Sequence, residues 1–138
     1  MVGRRSDGTA VRRPLSPHLQ VYDMFQLTSL LSIGGRITGV VWTAGVLFMV
    51  WWLVAAAAGA DAFAAVQWFA SSFVGLVFLF GVTAAAWFHT LNGVRHLAWD
   101  AGYGYDIPST YRSGRLVVIG TAVLTVLTWV IAVAVWAS

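Results

Sequence analysis

The sequence predicts an all-α integral membrane protein: three transmembrane helices behind a basic N-terminal arm on the cytoplasmic side. Three observations carry this. The 138 residues are 59% hydrophobic and only 9% charged, too little charge to coat a soluble domain. No Asp, Glu, Lys or Arg occurs over 37–60, 62–94 or 116–138, and each stretch reaches the roughly 20 residues that cross about 30 Å of hydrocarbon as a helix. All eight basic residues are arginines, five before the first span and three, Arg95, Arg112 and Arg115, around the connection between the second and third. Strands are excluded as spanning elements, because three of them cannot close a barrel and an open sheet edge finds no partner in lipid.

The elements follow in order. Residues 1–27 form the arm, with Gly3, Gly8, Pro14 and Pro17 expected to keep 1–17 extended or mobile. From Leu19 onward apolar residues mix with Gln20, Asp23 and Gln26, which suggests a segment lying in the interface before it turns into the first helix. The first 36 residues lack an apolar run, so they do not read as a cleaved signal, and Asp7 argues against a transit sequence. Helices are expected over about 28–57, 65–98 and 110–137, the first long enough to tilt, or to kink at Gly34 and Gly35. The third begins after Pro108 at a Ser109–Thr110 pair suited to a helix start.

The arginine distribution places the N-terminus and the second loop in the cytoplasm or mitochondrial matrix, with the C-terminus outside. Aromatic residues agree: Tyr22, Trp99, Tyr103, Tyr105 and Tyr111 mark the inner boundary, while Trp51, Trp52, Trp68 and Trp136 mark the outer one. Cysteine is absent, which removes disulfides, iron–sulfur clusters and zinc–thiolate sites from the chain's own chemistry. A redox role therefore needs another cofactor. Nothing points to nucleic acid; the evident partner is the lipid bilayer.

Two constellations could carry chemistry. His89 lies six residues before Arg95, about 9 Å deeper along a helix. A histidine there serves either to hydrogen-bond a neighbouring helix or to ligate haem iron. Gly93, one turn on, would leave room beside a flat macrocycle. His96 shares that face but sits about 10 Å away along the axis, so the two cannot ligate opposite sides of one iron. It suits contact with haem propionates, headgroups or a partner, or is simply solvated. A second axial histidine would have to come from another chain, since only His18, in the arm, remains. The second constellation is "SIGGRITG", 32–39. Ser32 and Arg36 are i, i+4 neighbours beside a Gly35–Gly39 small-residue pair. Arg36 serves either as a topology anchor or, with Ser32, as a hydrogen-bonding pair for a quinone carbonyl.

Taken together, "RPLSPHLQVY" (13–22), "SIGGRITG" and "HTLNGVRHLAWDAGYG" (89–104), in that order on three helices, resemble the cytochrome b subunit of succinate dehydrogenase, the anchor of respiratory complex II, in its alphaproteobacterial and mitochondrial form. The resemblance covers nearly the whole chain. It implies one haem b shared with a sister three-helix anchor, His89 as one axial ligand and the sister supplying the other. It also implies ubiquinone bound by Ser32 and Arg36, Arg36 and His96 near the propionates, and iron–sulfur and flavoprotein subunits on the cytoplasmic side that oxidise succinate. The expected location is a bacterial inner membrane. A histidine common before that arginine in the family is Gly35 here. The competing readings are a haem-free structural anchor of a fumarate reductase-type complex, and a channel or transport subunit. The latter needs a polar stripe along more than one helix, where the third offers only Thr121, Thr125 and Thr128.

Overall fold

The computed structural model describes residues 2–12 and 23–138. His18, Tyr22 and the whole 13–22 block lie outside the described residues. Residues 2–12, expected to be extended or mobile, instead form a hairpin in which β1 (Val2–Arg4) pairs antiparallel with β2 (Ala10–Arg12). The turn between them closes on Asp7, whose Oδ1 accepts from Thr9 N at 2.9 Å and Thr9 Oγ1 at 2.6 Å. Gly8 follows at φ +86°, a conformation that costs glycine nothing.

Four helices follow: α1 (Leu27–Ala58), α2 (Ala60–Ser71), α3 (Phe73–Asp100) and α4 (Ile107–Ala137). Of these α1, α3 and α4 are long and apolar enough to cross a membrane, with mean hydropathies of 2.0, 1.8 and 2.5 over their best windows. The expected single helix over 65–98 is therefore two elements. Ser72 is extended (φ −68°, ψ 158°), and its Oγ accepts from Gly75 N at 3.1 Å, capping α3, while donating to Phe69 O at 2.6 Å. A Cβ at Gly75 would run into the Phe69 carbonyl, so only glycine lets α2 fold back this tightly. Gly59 at φ +127° makes the preceding break between α1 and α2, and Asp61 sits in the first turn of α2, where the helix dipole favours an acid.

The start of α4 also differs from expectation. Its cap is Asp106 rather than the Ser109–Thr110 pair, because Pro108 has no N–H to lose and fits inside the first turn. Asp106 Oδ2 accepts from Ser109 N at 2.9 Å, and the hydrogen bonds from Ser109, the backbone one foremost, hold its carboxyl below the ordinary 3.8.

Helix α3 packs on both α1 and α4, and α1 meets α4 more sparingly. The contacts are made where glycines remove a side chain. On α1, Gly34 receives Phe88, Gly35 receives Asn92, Gly39 receives His89 and Gly45 receives Val82 of α3. On α4, Gly114 receives Leu31 and Leu27 of α1, and Gly120 receives Leu91 of α3. Gly34 and Gly35, expected as a kink site, thus sit within one helix and serve close packing, which in lipid replaces the hydrophobic drive that water supplies. At the end of the helices away from the α3–α4 loop, rings of Phe48, Phe69 and Phe78 cluster with centroids 5.6–6.3 Å apart and tie α1, α2 and α3 together. Hydroxyls of Thr38, Thr83, Thr121 and Thr128 bond to carbonyls one turn back on their own helices, so they satisfy themselves without water.

Two outcomes test this packing. Gly114→Val places new atoms against Leu31, whose Cδ1 is 2.6 Å from where a Cβ would stand; overpacking of this kind costs about 1–3 kcal/mol. It should lower the thermal midpoint of the detergent-solubilised protein, whereas Gly81→Ala, with nothing within 4 Å, should not. The Asp106 cap contributes stability above the unfolded carboxyl's pKa and loses it as pH falls through the lowered folded one. Amide-exchange protection at Ser109 should therefore drop on acidification below pH 3.8, and Asp106→Asn should flatten that drop.

Candidate functional site

The antiparallel seam between α1 and α3 arranges the predicted residues. Opposite one another stand 35 and 92, 39 and 89, 45 and 82. Gly34 with Phe88 marks one flank of the seam, and Gly39 with His89 the other. Ser32, Arg36 and Gly39 follow an i, i+4, i+7 spacing, so all three lie on the His89 flank. On α3 the same flank carries Gly93 and His96. By the rise of 1.5 Å per residue, Arg36 stands about 4.5 Å, and Ser32 about 10 Å, from the level of His89 toward the α3–α4 loop. Ser32 thus falls near the level of His96, and Arg36 between the two histidines.

Ser32, Arg36, His89 and His96 are all exposed on the outside of this three-helix unit. For His89 the arrangement is specific. A Cβ at Gly39 would stand 3.4 Å from the ring's Cε1 and 3.7 Å from Nδ1, with no other ring atom within 4 Å. The Cε1–Nδ1 edge therefore lies against Gly39, and Nε2 is the nitrogen farther from it. Beside it, a Cβ at Gly93 would meet nothing within 4 Å, leaving open space on the flank. A flat macrocycle met by Nε2, the nitrogen not against Gly39, and lying beside an unobstructed glycine fits these residues. His96 is separate from this group, packing edge-on against Trp99 with centroids 5.0 Å apart. Among the described residues no group of three or more His, Cys, Asp or Glu could hold a bare metal ion.

Two buried residues beside the site escaped the sequence reading. Asn92 is only 5% exposed, seated on Gly35, where a Cβ would come within 2.9 Å of its Nδ2. Its Oδ1 has no hydrogen-bond partner among the described residues. A side chain at 35, such as the histidine of the family pattern, would have to displace this amide. Arg95, which the sequence counts only among the arginines that set orientation, is 7% exposed. Its Nε donates to Ser113 Oγ at 3.0 Å and Nη2 to Thr110 O at 3.2 Å, with the guanidinium 4.0 Å over the Trp99 ring. Trp99 in turn donates to Gly104 O at 3.1 Å and stacks on Tyr105, whose hydroxyl donates back to Trp99 O. Arg95 thereby pins the inner loop and the start of α4 to α3. An apolar run interrupted by Asn92 and Arg95 three residues apart was the one signal available.

A groove of about 1170 Å³, lined by Trp52, Trp68, Trp129 and Trp136 among others, lies at the opposite end of the helices and shares no residue with this flank.

Known proteins resemble the chain over most of its length. The family of succinate dehydrogenase/fumarate reductase transmembrane subunits matches residues 9–128. The succinate dehydrogenase cytochrome b556 subunit of Paracoccus denitrificans is 45% identical over 119 residues, covering 86% of this chain and 91% of its own. The protein of that name in Rickettsia conorii is 40% identical, covering 86% and 92%. The cytochrome b560 subunit of Reclinomonas americana is 34% identical over 126 residues, covering 88% and 87%. A three-span fold, motif blocks seated on one flank of a glycine seam, and matches of this extent agree, and the chain belongs to the succinate dehydrogenase/fumarate reductase transmembrane subunit family.

Proposed function

We propose that this membrane anchor ligates haem b through His89 and binds ubiquinone at Ser32 and Arg36, so that electrons taken from succinate by partner subunits reach quinone. The observation that carries the reading is the shared flank: His89, Arg36 and Ser32 line one side of the α1–α3 seam in order of decreasing depth. The relatives' designation as cytochrome b subunits supports haem b as the cofactor.

In this reading a sister anchor covers the flank and brings the second ligand, since among the described residues no other histidine stands level with His89. Held by one histidine from each anchor, the haem would supply one-electron transfer. The chain's own work would be to hold the haem through the His89 imidazole, set against Gly39, and to position quinone. Ser32 Oγ donates a hydrogen bond to one quinone carbonyl. The positive charge of the Arg36 guanidinium stabilises the negative charge that grows on that oxygen as the headgroup is reduced. Arg36 and His96 stand toward the inner surface from His89, where propionates would extend. The inner loop held by Arg95 and Trp99 faces the cytoplasm, and iron–sulfur and flavoprotein subunits dock on that side and carry out succinate oxidation. The C-terminus then lies in the periplasm of a bacterial inner membrane.

Two experiments test this. In the purified complex, reduced-minus-oxidised spectra of His89→Ala should lack the low-spin haem b signal of the parent; an unchanged signal removes His89 from ligation. Arg36→Leu should slow succinate-to-quinone transfer about 10- to 100-fold, the equivalent of a lost charge-assisted hydrogen bond of about 1.5–3 kcal/mol. Reduction of an artificial acceptor should fall far less, and equal losses in both assays would show damaged assembly instead.

A further inference from the structure

Resting on the haem reading above, we infer that Gly39 is a positioning residue, whose missing side chain sets the rotation of the His89 imidazole and so decides which ring nitrogen is presented to the iron. Among the described residues no side chain hydrogen-bonds His89 to orient it, yet a histidine can ligate through either nitrogen and must be fixed by what surrounds it. The surroundings here are the α1 backbone. The ring lies with Cε1 3.4 Å and Nδ1 3.7 Å from the Cβ position of Gly39, at ordinary van der Waals distance. One turn away, Asn92 fills the space above Gly35 and, at 5% exposure, cannot slide. These contacts lock the register that brings the ring to Gly39.

The contact distances grade the effect of substitution. A single methyl at 39 would sit in normal contact with the ring and leave it in place. A branched side chain adds γ atoms beyond the Cβ, directed into the ring, and must rotate it or push it off α1. The alignment of the imidazole plane on the iron, and the strength of the axial bond, would change with it.

The test reads the haem rather than turnover. Electron paramagnetic resonance g values, midpoint potential and haem content are measured on the purified complex for the parent, Gly39→Ala, Gly39→Val and His89→Ala. Gly39→Ala should match the parent. Gly39→Val should show displaced g values and a displaced potential, or lose haem. Because the chain has no cysteine of its own, Gly39→Cys allows the perturbation to be applied after assembly: methyl methanethiosulfonate adds a methylthio group beside the ring. Treatment should displace g values and potential in Gly39→Cys and not in the identically treated parent. Parent-like spectra in the modified variant, with the added mass confirmed on this chain, overturn the positioning role. Loss of the signal in His89→Ala together with unchanged Gly39 variants overturns the positioning role alone, whereas a low-spin signal that survives His89→Ala overturns both claims.

Discussion

The constraint on which the structure depends is close approach between α1 and α3. Lipid tails are as apolar as leucine, so two helices gain nothing from hiding apolar surface in one another and associate only where their backbones and side chains fit tightly. Gly34, Gly35, Gly39 and Gly45 make that fit possible, each receiving one α3 side chain. The register this imposes places Ser32 and Arg36 of one helix and His89 of the other on a common flank. Neither helix carries the site by itself.

The same logic explains what the chain leaves undone. Only 11% of each spanning window is buried within the chain, and its fully buried side chains are few, Leu31 and Val66 being the largest. Three helices of this kind make a thin sheet of packing rather than a core. A polar flank bearing a histidine and an arginine is costly to leave facing hydrocarbon, so it belongs against other protein or cofactor. Among the polar groups that the chain buries, Arg95 is met by Ser113, the Thr110 carbonyl and Trp99, and the Thr121 hydroxyl by its own helix. Two are unmatched among the described residues: Asn92 Oδ1, at the centre of the seam, and Thr125 Oγ1 on α4.

Much of this was legible in the residues, for identifiable reasons. Charge-free stretches beyond the length of a membrane crossing dictate helices whatever their neighbours, and the i, i+4 spacing of Ser32 and Arg36 puts them on one face without reference to α3. The short α2 was not legible, because its break rests on the extended backbone of Ser72 and on Phe69 approaching Gly75, within a run that reads as continuously apolar. The α4 cap was missed because Ser109–Thr110 has the better local composition, while Pro108 is tolerated inside the turn. The roles of Asn92, Gly35 and Gly39 are relations between two helices, and no pattern along one helix reveals which glycine faces which side chain. Arg95 was read by its charge, and its burial depends on Ser113 eighteen residues away.

The seam register is open to a direct measurement, since the chain has no cysteine to interfere. A Cβ at Gly45 would lie 3.4 Å from the Cβ of Val82, close to the roughly 3.5–4.5 Å of a disulfide. Gly45→Cys combined with Val82→Cys should therefore cross-link on mild oxidation in native membranes, and Gly45→Cys combined with Ala86→Cys, one turn out of step, should not. Cross-linking of the shifted pair in place of the first would mean that His89 does not stand opposite Gly39, and the account of the shared flank would be wrong.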